Sequence, residues 1–134
     1  MKLSENFSLS EFTRSETADR LRIDNTPSGE VVANLSELCR VVLQPLRDAW
    51  GKPLRINSGY RCPMLNKAVG GVATSQHVKG CACDIASDNT QELADFIKAS
   101  AVFGEIDQLG IYPTFVHVSH RTDGQPQRHQ VFVR

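Results

Sequence analysis

Apolar residues Val31, Leu35, Leu38, Val42 and Leu46 recur at helical spacing, and beyond the Gly70-Gly71 pair that period gives way to short strand-like runs. Helices therefore come first and a sheet follows. The expectation is an α+β domain, with N-terminal helices packed on a small, largely antiparallel sheet. The 134 residues contain no repeat, low-complexity stretch or dividing linker, so residues 1–134 are expected to form a single domain. A chain of this size buries roughly two-thirds of its unfolded surface.

Local signals place the elements. Ser8-Leu9-Ser10-Glu11 reads as a capping box opening a short helix anchored by Phe12. A longer helix should begin near Pro27 and run to about Trp50, with Gly51 as its stop and Pro45 kinking it or splitting it in two. Leu54-Arg55-Ile56-Asn57 is a short strand leading into Ser58-Gly59-Tyr60-Arg61, and Cys62 to Ala68 has room for one or two helical turns. Gly80 to Ala86 reads as a strand, and Asn89 caps a helix through about Ala101. Ile106 to Tyr112, Phe115 to His120 and Gln130 to Arg134 complete the sheet, the last two joined around the Asp123-Gly124 turn.

Fifteen basic and fifteen acidic residues leave no net charge, and so no field that would recruit nucleic acid or an anionic membrane. Neither is expected as a partner, and a monomer is expected. Met1-Lys2-Leu3-Ser4-Glu5 has no hydrophobic stretch resembling a signal sequence, which predicts a protein that is cytoplasmic as synthesised unless something else releases it. In that compartment Cys39, Cys62, Cys81 and Cys83 should stay reduced.

Chemistry concentrates in the run from Ser75 to Asp84. His77 and Asp84 lie within it, and His117 stands in the strand-like run Phe115-Val116-His117-Val118-Ser119. Two imidazoles and a carboxylate are the donors of an open zinc site, whose fourth position stays free. Alternation along the strand sends Asp84 and Ala82 to one face and Cys81 and Cys83 to the other. This leaves two exclusive sites, His77/Asp84/His117 or a thiolate site of His77, Cys81 and Cys83. The second lacks the further close Cys or His pair that a structural zinc site usually has. In the first, both cysteines become buried packing residues.

Ser75-x-His77-x-x-Gly80-x-Ala82-x-Asp84, followed by Val116-His117-Val118-Ser119, resembles the signature of the zinc D-alanyl-D-alanine carboxypeptidase and L-alanyl-D-glutamate endopeptidase family, whose fold is shared with the Hedgehog signalling domain. Ser58-Gly59-Tyr60-Arg61-Cys62-Pro63-x-Leu65-Asn66 and Asp107-Gln108-Leu109 resemble further segments of that family in the same order, so the resemblance runs from about Phe7 to Ser119. It implies a zinc cofactor on His77, Asp84 and His117, a peptidoglycan stem peptide as partner, and hydrolysis of an amide next to a D-amino acid. Arg61 would take a substrate carboxylate with its guanidinium fork. Ser75 would touch substrate or cap the turn before His77. The lack of an export signal resembles phage or prophage-encoded wall peptidases.

One departure stands out. Many members of the family carry Glu or Asp a few residues before the last histidine, and here no carboxylate lies between Asp107 and His117. Asp107 is the first candidate for the catalytic base, with Glu105 behind it, and a structural role for Asp107 stays open. The alternative function is a non-catalytic, zinc-stabilised binding or structural module of the same fold.

Overall fold

The computed structural model describes residues 1–134. The chain opens with a short antiparallel pair, β1 (Lys2–Ser4) and β2 (Phe7–Ser8), which runs straight into α1 (Leu9–Thr13). The capping box is formed there, the Glu11 carboxylate accepting from the Ser8 backbone N–H at 2.7 Å. Phe12 is fully buried behind it. A second short helix, α2 (Glu16–Leu21), follows.

The long apolar stripe folds as three joined pieces: α3 (Gly29–Leu38), a π-turn (Cys39–Leu43) and α4 (Gln44–Trp50). Ser28 caps α3 by accepting from Val31 N–H, and Gly51 ends α4 in the left-handed conformation at φ 75°. Pro45 explains the interruption. Its ring crowds the carbonyl four residues back, and a locally widened turn relieves that crowding. Gln44 N–H accordingly reaches Cys39 O, five residues back. Leu35, Leu38, Val42, Leu43 and Leu46 are fully buried, and a large apolar side chain removed from water in this way stabilises by about 1.5–3 kcal/mol.

The main sheet has the order β3-β4-β6-β5-β7, with β3 (Arg55–Ser58), β4 (Ala82–Ala86), β5 (Gln108–Ile111), β6 (Phe115–Ser119) and β7 (Gln130–Val133). Helix α5 (Pro63–Ala68) lies between β3 and β4 in the chain, and α6 (Thr90–Ala99) between β4 and β5. The fold is α+β. Every neighbouring pair in the sheet is antiparallel except β5 and β7, which are parallel.

That exception corrects the expected hairpin. β6 is already paired with β4 on one edge and β5 on the other, so it has no free edge for the strand that follows. The chain passes beyond β5 instead, and the Asp123-Gly124 turn lies within a longer connection. No helix is long and apolar enough to cross a membrane.

The two sheet faces differ sharply. Cys83, Val118 and Leu109 are partners across β4, β6 and β5, and all are fully buried in the core with Leu93, Ala94 and Ile97 of α6. The opposite face carries a row of partners through all five strands: Ser58, Asp84, His117, Gly110 and Phe132. The candidate site lies on that row.

Candidate metal centre

β4 and β6 are in register so that Asp84 faces His117 directly. His77 arrives from a single 3₁₀ turn, Gln76–Lys79, just before β4. The Asp84 Oδ1 atom lies 3.0 Å from His117 Nδ1 and 3.3 Å from His77 Nε2, and one ligand atom from each residue falls within 4.8 Å of the others. His77 and Asp84 are buried while His117 is half-buried at the rim.

Donor chemistry here fits a divalent cation. His77 Nδ1 is 2.7 Å from the Gly59 carbonyl, which can only accept, so this contact assigns the proton to Nδ1. The neutral ring then presents the lone pair of Nε2 to the Asp84 carboxylate. Two lone pairs at 3.3 Å repel unless a proton or metal ion lies between them. A backbone carbonyl fixing the tautomer of a ligating imidazole is also the usual outer-shell arrangement of zinc sites. Burial works to raise the Asp84 pKa, but the His117 and His77 imidazoles beside it outweigh burial and hold the carboxyl well below the ordinary range. An ionised carboxylate is the form a metal needs.

The thiolate alternative is not assembled. Cys83 faces the core with no exposure, and Cys81 Sγ packs near the Lys79 carbonyl and the Thr122 hydroxyl. Burial pushes both thiols up. All four cysteines are free.

Glycines let the ligand loop close. Gly80 ends the His77 turn at φ 76°, and a Cβ there would stand 2.9 Å from both the side chain and the backbone carbonyl oxygen of Val31. Left-handed backbone alone costs a non-glycine residue about 1–2 kcal/mol, and the contact with rigid helix backbone adds to it. Gly80→Ala is therefore expected to lower stability by about 2–4 kcal/mol in denaturant titration. The same change should weaken metal binding, because Gly80 sets the angle between His77 and β4. Gly59 is equally confined, with its Cβ direction blocked at 2.6–2.7 Å by Phe12. That close approach aims the Gly59 carbonyl at His77.

Arg61 and Ser75 come together beside the metal cluster. Arg61 donates from Nε to Asn66 Oδ1 at 3.1 Å and from Nη2 to Ser75 Oγ at 3.4 Å, while its backbone N–H donates to the His77 carbonyl. Desolvation lowers its pKa, partly offset by the charge of the Asp84 carboxylate. Ser75 Oγ also accepts from His77 N–H, so it caps the turn as well as holding Arg61. A cavity of about 250 Å³ adjoins this group, lined by Ser58, Tyr60, Arg61 and residues of the α1–α2 junction.

Asp107 is placed differently. It has no exposed surface; its Oδ1 accepts from Arg128 N–H, and its oxygens accept from the Arg128 guanidinium and from Gln76 Nε2. Burial opposes ionisation, but these donors outweigh it and keep the carboxyl low. It is not among the clustered donors, and its oxygens are taken up by Arg128 and Gln76 instead. His120 is no substitute. It is bonded to the Glu105 carbonyl at 2.6 Å and to Glu37 at 2.7 Å, and lies just beyond the end of β6.

Sequence reasoning missed several residues that build the site. Asn25 is one: its amide donates to the Thr13 and Tyr60 carbonyls and its oxygen accepts from Cys62 N–H, tying the Arg61 segment to the N-terminal helices. Phe132 is another, standing beside His117, and so is Tyr112, edge-on to Phe132. A lone Asn or Phe carries no motif, so nothing in the sequence flagged them.

A two-histidine, one-carboxylate cluster with one ligand at an accessible rim defines a candidate mononuclear metal centre of the open, hydrolytic type. The family model described as Peptidase M15 matches residues 5–119, and the chain belongs to that peptidase family. A search of the curated proteins finds no match to the chain.

Proposed function

We propose that this chain is a zinc metallopeptidase that hydrolyses an amide bond next to a D-amino acid in peptidoglycan stem peptides. The observation that carries this reading is the convergence of His77, Asp84 and His117 beside an arginine held within electrostatic reach of Asp84. Zinc would be held by those three side chains, and when bound it supplies Lewis acidity and acidifies water near neutral pH. The protein's own groups do the positioning. Gly59 keeps His77 in the ligating tautomer, and Asp84 stays ionised. Asn66 and Ser75 hold the Arg61 guanidinium where it can receive a peptide carboxylate.

The test is digestion of purified murein and synthetic stem peptides by the zinc-loaded protein, followed by mass analysis of the fragments. Release of a peptide or D-alanine that depends on zinc supports the reading; intact substrates with the metal site full overturn it. Arg61→Lys is expected to reduce kcat/KM about tenfold, the equivalent of ~1.4 kcal/mol, because the ammonium keeps the charge but loses the two-pronged hold. Zinc content should not change. An unaltered rate would make Arg61 a structural residue only.

One observation favours a second reading. Asp107, the nearest acid before His117 and the first base candidate, is committed to Arg128 and Gln76 rather than turned to the cluster. In that reading the same groove binds stem peptides without turning them over.

A further inference from the structure

The family match ends at residue 119, yet the chain beyond it returns to the candidate site. β7 adds a parallel strand to β5 with Phe132 opposite Gly110, which is itself opposite His117. Gly110 is required for this. A Cβ there would meet the Phe132 ring at 2.6–2.7 Å and the Tyr112 ring at 3.0 Å. With no side chain in between, the Phe132 ring centroid lies 6.3 Å from that of His117 and edge-on to Tyr112 at 6.2 Å. The Arg134 guanidinium sits over the outer face of Phe132, 4.5 Å from its centroid.

Core packing does not account for this strand. Val131 and Val133, on its other face, are 41% and 67% exposed, whereas Phe132, on the metal face, is half-buried. The strand is nonetheless firmly fastened. Asp107 grips Arg128 with its side chain and accepts Gln130 N–H with its carbonyl, and Arg134 N–H donates to Ile111 O at the other end. His129 adopts φ 53° to turn the chain into β7. An exposed strand that is pinned at both ends and aims its one aromatic ring at a metal cluster is positioned to contact a ligand.

We propose that β7 is a wall of the substrate cleft, and that Phe132 with Arg134 binds the part of an anionic, alanine-rich peptide lying across the metal from Arg61. This deepens the proposed peptidase reading and rests on its substrate class. Dimensions agree. The row from Ser58 to Phe132 crosses four strand spacings of ~4.8 Å, roughly 19 Å, the reach of about five to six extended residues. The ring offers an apolar face to an alanyl methyl or a methylene chain, and the guanidinium offers a partner to a carboxylate.

The experiment is calorimetric binding of the synthetic pentapeptide L-Ala-γ-D-Glu-L-Lys-D-Ala-D-Ala to zinc-loaded wild type, Phe132→Ala, Phe132→Tyr and Arg134→Gln, with hydrolysis of the same peptide followed in parallel. Phe132→Ala should weaken binding about tenfold and Arg134→Gln about threefold, with Phe132→Tyr close to wild type and zinc content and melting temperature unchanged. Binding and kcat/KM within twofold of wild type in a folded, zinc-replete Phe132→Ala variant overturn the proposal. So does a loss that merely tracks lowered stability or zinc content. If wild type binds the peptide without cleaving it, the peptidase reading fails while the wall stands or falls on the variants' affinities. If wild type does not bind it at all, both fail.

Discussion

Replacing His77, Asp84 or His117 by alanine is expected to reduce the zinc content of purified protein from about one ion per chain to below ~0.1, measured by elemental analysis after dialysis. Each variant leaves two donors, and an open site with three protein ligands has none to spare. Asp84→Ala should be the most damaging. It removes the only negative charge in the cluster and leaves two imidazoles facing each other with ring centroids 5.2 Å apart. The double change Cys81→Ala with Cys83→Ala should keep the zinc, because Cys83 lies in the core and Cys81 against Thr122. Zinc loss in the cysteine variant together with retention in Asp84→Ala would reverse the assignment of the site. Any zinc-dependent hydrolysis should disappear in step with the metal.

Asp107→Asn is expected to act on stability. The substitution turns one oxygen that now accepts from Arg128 or Gln76 into a donor facing a donor, on a side chain that is itself fully buried. Arg128 is half exposed at its side chain, so water recovers part of the lost interaction and the cost should be about 2 kcal/mol. For a domain of this size that corresponds to a fall of roughly 6–10 °C in melting temperature. The pH dependence has a definite sign. The folded pKa of Asp107 is lowered, so its contribution is present in full above the unfolded value of about 3.9 and is lost as pH falls through the lower folded value. The difference between wild type and Asp107→Asn should hold steady from neutrality down to about pH 5 and shrink below about pH 4. Zinc content should stay the same. A catalytic base would instead show a drop in turnover of about 10²–10⁴ with the melting temperature unmoved.

These outcomes follow a division between what is encoded over a few residues and what is encoded over many. The capping box at Ser8, the stop at Gly51, the strand at Ala82–Ala86 and the helix capped by Asn89 are short-range devices, and each formed within two or three residues of where the pattern placed it. The candidate ligands were legible as a group for the same reason. His77, Gly80 and Asp84 share one turn and one strand, and strand alternation separates Asp84 from Cys83 without further information. The break at Pro45 was legible as a position, because the lost N–H is a property of the residue itself. Its form as a π-turn was decided by the buried stripe on either side, which keeps both halves of the helix on the core.

Strand pairing lies beyond that range. Which edge is free for β7 depends on β4, β5 and β6 having already paired, and no residue near 130 carries that information. The register that lines up Ser58, Asp84, His117, Gly110 and Phe132 spans 75 positions of chain, and it exists only once the sheet is closed. Asp107 makes the same point at the level of one side chain. Its identity as an acid near His117 invited a chemical role, but what an acid does is set by its partners, and Arg128 reaches it from across the sheet edge. Local pattern pointed to His77, Asp84 and His117 as the candidate set and to the α+β character, because hydrogen-bond spacing and side-chain alternation act over neighbours. The tertiary structure alone decided which groups surround the ligands, because burial and long-range pairing bring distant residues together and settle what each polar atom can still bind.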